Sequence, residues 1–85
     1  MLRSTSTQPD VAIVFLRELW AAMVGSDVAR NSEPVRLNGR TLAVEVNDPV
    51  WKTQMEALKP LMIRAVNEQW GCVLIERIRI RLRPR

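Results

Sequence analysis

The sequence predicts an α+β domain with the element order α-β-β-α-α-β, in which three strands share one apolar face and helices cover it. Three observations lead there. Asn38-Gly39 separates two apolar runs, and Asn-Gly is the strongest two-residue hairpin signal. Leu42, Val44 and Val46 alternate with Thr41, Ala43 and Glu45, as in a half-buried strand. Near the C-terminus Ile78, Ile80 and Leu82 alternate with Arg77, Arg79, Arg81 and Arg83. A one-faced apolar sheet needs cover, and only the helices can supply it.

The elements follow in chain order. Residues 1–9 are polar and read as a flexible tail, followed by a single domain over 10–83 and a basic end at 84–85. Pro9-Asp10 opens the first helix. Its expected buried stripe is Phe15, Leu16, Leu19, Trp20, Met23 and Val24. Gly25-Ser26-Asp27 interrupts it, and Ser26 or Asp27 can cap a short second turn. Asn31 to Pro34 reads as a loop. Val35-Arg36-Leu37 is the first strand, and a two-residue loop places Val35 opposite Leu42 and Leu37 opposite Arg40. Asp48 caps the next helix, with Pro49 in its first turn, where a missing N–H costs nothing. Trp51, Met55, Leu58, Met62, Val66 and Trp70 then recur at helical steps. Pro60 removes a donor and crowds the preceding turn, so two helices are expected, about 49–58 and 60–70. Gly71 ends the second in a left-handed conformation. The last strand is expected over about 73–82.

Composition narrows the function classes. The chain has 85 residues, enough for one small domain. No apolar run approaches the roughly 20 residues of a membrane span. The N-terminus has no secretory pattern. One cysteine and no histidine exclude an internal disulfide and an ordinary zinc site, and Cys72 reads as a small packed residue. A cytoplasmic setting is expected. No phosphate-binding glycine loop is present, and candidates for acid–base or nucleophilic catalysis are few. The sequence therefore predicts a non-enzyme without cofactor, metal or small-molecule substrate.

The net charge is +4, but five arginines (77, 79, 81, 83 and 85) lie in the last nine residues. The rest of the chain is close to neutral. A localised basic element implies a polyanionic partner. On the strand, alternate arginines stand about 6.6–7 Å apart, comparable with phosphates along an extended single strand. Arginine suits phosphate through its planar fork. The competing role is charge protection of a sheet edge. The candidate nucleic-acid-binding residues are Arg36, Arg77, Arg79, Arg81, Arg83 and Arg85. Trp20, Trp51 and Trp70 each lie on an apolar helix stripe and read as core, not as base-stacking platforms. Lys52, Lys59 and Arg64, interspersed with Glu56 and Glu68, read as a solvated helix face.

The α-β-β-α-α-β order resembles a type II KH-like domain. Within it, Leu19-Trp20-Ala21-Ala22-Met23-Val24-Gly25, then Ser32-Glu33-Pro34, then Asn38-Gly39 leading into Leu42-Ala43-Val44-Glu45-Val46, then Trp51, resembles the DciA family. Leu58, Leu61-Met62, Asn67 and Gly71 also fit that pattern, which covers about residues 16–82. The resemblance implies a bacterial, nucleoid-associated protein that assists loading of a DnaB-type replicative helicase. Its implied partners are that helicase and single-stranded or forked DNA, with no membrane. Two departures stand out. Nucleic-acid-binding KH domains clamp the backbone with a Gly-x-x-Gly loop, whereas here the junction reads Ala57-Leu58-Lys59-Pro60. Many family members also carry a long extra segment, where this chain has a short N-terminal tail. Two further classes stay compatible with the residues: a stand-alone binder of nucleic acid, RNA included, and a protein-interaction adaptor whose arginines meet an acidic partner.

Overall fold

A tight turn at Gly39-Arg40 organises the molecule. The computed structural model describes residues 9–84. The elements are α1 (Pro9–Val24), α2 (Ser26–Arg30), β1 (Ser32–Asn38), β2 (Thr41–Val46), α3 (Pro49–Trp70) and β3 (Arg77–Leu82). Together they form an α+β domain with a three-stranded mixed sheet in the order β1-β2-β3. β1 and β2 pair antiparallel, and β3 pairs parallel to β2 after the α3 crossover. This agrees with the KH-like expectation, with one change in helix number described below. The expected tail falls almost wholly on residues 1–8, and these lie outside the described residues, as does Arg85.

The core lies between the sheet and the helical layer. Leu37, Leu42, Val44, Val46, Ile78 and Ile80 come from the sheet; Ile13, Leu16 and Trp20 from α1; Met55, Met62 and Val66 from α3. The period of two in the strands and of three to four in the helices selects these residues. Trp20 Nε1 donates to Ser32 Oγ at 3.0 Å, and that hydroxyl donates to the Val28 carbonyl at 2.6 Å. The buried polar pair is thus satisfied, and α1, α2 and β1 are tied at one point. Trp51 and Trp70 are half-buried against the same core.

Both expected caps of α3 are present. The Asp48 carboxylate accepts from Val50 N–H at 2.7 Å, and Pro49 follows it. Gly71 has φ 89°, and its N–H reaches the Asn67 carbonyl at 2.9 Å. Asn67 does more. Its side-chain oxygen accepts from Leu74 and Ile75 N–H, and its amide donates to the Ile75 carbonyl at 2.9 Å. This clamp holds the non-strand stretch before β3 and buries Ile75.

Several expectations need correction. The two helices after β2 are one: α3 runs through Pro60. Pro60 and Glu56, whose carbonyl loses its donor, are both exposed, so water can satisfy that group. The hairpin register is shifted. Asn38 pairs with Thr41 and Leu37 with Leu42, which makes Gly39 (φ 62°) and Arg40 the loop residues. A single positive φ at the first central position replaces the expected two. A register shift between Pro34 and Arg36 then takes up Val35, which is half-buried and lines the open face instead of the core. β1 begins earlier, at Ser32, because Pro34 sits on an edge strand beside the bulge, where a sheet tolerates proline. β3 starts later, at Arg77. Finally, Phe15 and Cys72 are exposed; Phe15 meets Trp70 edge-on, with ring centroids 6.4 Å apart.

Candidate functional site

The sheet face opposite the helices is where the predicted arginines gather. Alternation along β3 buries Ile78 and Ile80 and exposes Arg77, Arg79 and Arg81. Register then sets their neighbours. Thr41 lies beside Arg77, Ala43 beside Arg79 and Glu45 beside Arg81. On the other side of β2, Arg36 lies beside Ala43 and Glu33 beside Glu45. The face therefore has two adjoining cross-strand rows, Arg36–Ala43–Arg79 and Glu33–Glu45–Arg81.

The first row is open. Arg36, Asn38, Thr41, Ala43 and Arg79 line a groove of about 400 Å³, to which Val35 and Arg81 also contribute. Ala43 contributes only a methyl group, so the two flanking arginines border a shallow trough. Two strand spacings put their Cα atoms about 10 Å apart. Among the described residues, no carboxylate lies within 4.0 Å of Arg36, Arg77 or Arg79 in an ion pair.

The second row is closed. Arg81 Nη2 donates to Glu45 Oε2 at 3.0 Å. Arg83 Nη2 donates to Glu33 Oε1 at 3.1 Å, and its Nε lies 3.7 Å from Glu45 Oε1. Arg17 reaches over from α1, with Nε 3.3 Å from Glu33 Oε2 and donating to the Pro34 carbonyl at 3.1 Å. Arg17, Glu33, Arg83, Glu45 and Arg81 thus form one ion-pair chain linking α1 to all three strands. Glu45 is the most enclosed member, with 14% of its side chain exposed.

The structure thus brings Arg36, Arg77, Arg79, Arg81 and Arg83 to one face and divides them by partner. Arg85 lies outside the described residues. Sequence reasoning missed Arg17 and the counter-charge role of Glu33 and Glu45. Alternation in β2 signalled that Glu45 faces away from the core, but its partners depend on a parallel register that no turn specifies. Arg40 was also missed. Its carbonyl accepts from Glu76 and Arg77 N–H at 2.7 and 3.1 Å, and its guanidinium donates to the Val73 carbonyl at 2.9 Å. These bonds fasten the hairpin turn to the start of β3 and so fix that register.

The other basic cluster is self-compensated. Lys59 Nζ is 2.7 Å and Lys52 Nζ 3.6 Å from the Glu56 carboxylate on α3. The hydrogen bond from Lys59 holds the Glu56 carboxyl below its ordinary range, helped by the charges of Lys59 and Lys52. Lys59 also marks where a KH clamp loop would sit, and α3 is continuous there.

The family model described as "Dna[CI] antecedent, DciA" matches residues 2–80. The chain belongs to the DciA family. No curated protein matches this DciA-family chain. Among its described residues no helix is long and apolar enough to cross a membrane, and no group of His, Cys, Asp and Glu side chains is arranged to hold a metal.

Proposed function

We propose that this DciA-family protein helps load a DnaB-type replicative helicase, by contacting the helicase and binding single-stranded or forked DNA without sequence preference. Family membership supports the link to helicase loading and marks the chain as an accessory factor, not a member of an enzyme family. Any nucleotide hydrolysis belongs to the helicase. The setting is the bacterial cytoplasm, at the nucleoid.

The observation that carries the DNA half of this reading is the open Arg36–Ala43–Arg79 row. Among the described residues its guanidiniums meet no carboxylate, so phosphate binding there breaks no ion pair among them. Arg77 extends the row along β3. The groove lining carries no aromatic side chain, and Trp20, Trp51 and Trp70 belong to the helical layer behind the sheet. Phosphate contact without stacking gives sequence-independent affinity.

The test mixes the protein with a DnaB-type helicase and measures unwinding of a forked substrate whose single strand is already coated. Faster helicase loading, together with a helicase complex by size exclusion, is the expected result. Absence of both would overturn the reading. Tight RNA binding without a helicase complex would favour the stand-alone binder. Helicase binding without DNA binding would favour the adaptor.

A further inference from the structure

The closed row bears a physical cost that demands an explanation. Glu33 and Glu45 are direct cross-strand partners. Like charges directly opposite each other destabilise a sheet pair. Neither glutamate contributes to the apolar core. Arg17, Arg81 and Arg83 offset the repulsion, and in doing so their guanidiniums are engaged. Each carboxylate presents arginine with the same bidentate oxygen geometry that a phosphate offers. Glu45 is the better placed of the two, central in the sheet and touching both Arg81 and Arg83.

We propose that Glu45, assisted by Glu33, is a tethered competitor for phosphate that withholds Arg81 and Arg83 from a polyanion and so limits how tightly the face holds it. This rests on the DNA-binding reading above and adds the element that sets its strength. A nucleic acid occupies the open row first. To engage the closed row a phosphate must displace Glu45 at Arg81, and both Glu33 and Glu45 at Arg83. Such an exchange gains little, because the ion pair broken resembles the one formed. The face therefore grips single strands weakly enough to release them.

The experiment titrates a labelled oligo-thymidylate with wild type, Glu45→Gln and Glu68→Gln at several salt concentrations. Glu68 is exposed on α3, has no ion pair among the described residues, and controls for net charge. Glu45→Gln is expected to bind about fivefold tighter than Glu68→Gln, with a salt slope steeper by about 0.7, the value for one added phosphate contact to a single strand, because it frees Arg81 while Glu33 still holds Arg83. Adding Arg81→Ala to Glu45→Gln should remove most of that gain. If wild type binds and Glu45→Gln matches Glu68→Gln, the competitor role is overturned and the DNA-binding reading stands. If none of the proteins binds, both are overturned. If circular dichroism shows Glu45→Gln unfolded, Glu33→Gln carries the same comparison through Arg83.

Discussion

Two halves of one sheet face, built from the same residue type, differ in what holds their charge. Around Ala43, Arg36 and Arg79 border an open trough. One row along, Arg81 and Arg83 are held by Glu45 and Glu33, and Arg17 closes the chain from α1. In sequence the β3 arginines form a uniform alternating row. In the fold they divide because β2 carries alanine at one outward position and glutamate at the next. What a basic strand can bind is thus decided by the neighbouring strand, since counter-charge, not charge alone, determines which guanidiniums remain available.

The largest expected effect comes from breaking the open half. Charge reversal at Arg36 and Arg79 together should weaken single-stranded DNA binding on the order of a hundredfold at low salt and flatten the salt dependence. Reversing Arg79 and Arg81, one residue from each half, should weaken it less. Anisotropy titrations check both. A loss as large from Arg81 and Arg83 alone would erase the distinction between the halves.

Next in size is a conversion of one half into the other. Ala43→Glu would set a carboxylate between Arg36 and Arg79, copying the arrangement at Glu45. DNA affinity should fall roughly tenfold. Thermal melting should show no loss of stability, because Ala43 lies on the open face outside the core. Lost stability together with unchanged affinity would contradict the account.

Stability itself should separate the halves in the opposite sense. Arg83→Ala removes contacts to both glutamates and leaves them opposed, which should cost about 0.5–1 kcal/mol, the upper part of the range for solvent-exposed pairs. Arg79→Ala should cost about 0.5 kcal/mol or less, as ordinary surface substitutions do. Denaturant titration measures both.

The smallest effects belong to the self-compensated cluster on α3. Replacing Lys52 and Lys59 by alanine should change DNA affinity about twofold or less, because those ammonium groups already face Glu56. The same cluster sets a pH dependence. With its folded pKa lowered, Glu56 adds stability above the ordinary glutamate range and loses it as pH falls through the folded value. Glu56→Gln should therefore reduce the loss of stability between neutral and acidic pH, as followed by melting temperature.

Much of the architecture was legible because local chemistry specifies it. Asp48-Pro49 and Gly71 bound α3, and alternation in β2 and β3 identifies the two faces of the sheet. Pro60 misled because its penalty depends on exposure, and an exposed proline is carried by a long helix whose other face is buried. Val35 misled because a bulge, invisible in an apolar run, moves one residue to the other face. The candidate site was half legible. Which arginines face outward follows from period two. Which of them are neutralised follows from the β2–β3 register, set by the Arg40 carbonyl and the Asn67 clamp, and neither has a local sequence signal.

The most direct test compares the salt dependence of single-stranded DNA binding for wild type, Arg36→Ala/Arg79→Ala and Arg81→Ala/Arg83→Ala. The account predicts that the first pair flattens the slope of log K against log salt by about 1.4, while the second leaves it close to wild type. Equal flattening by the two pairs, or none by the first, would contradict it.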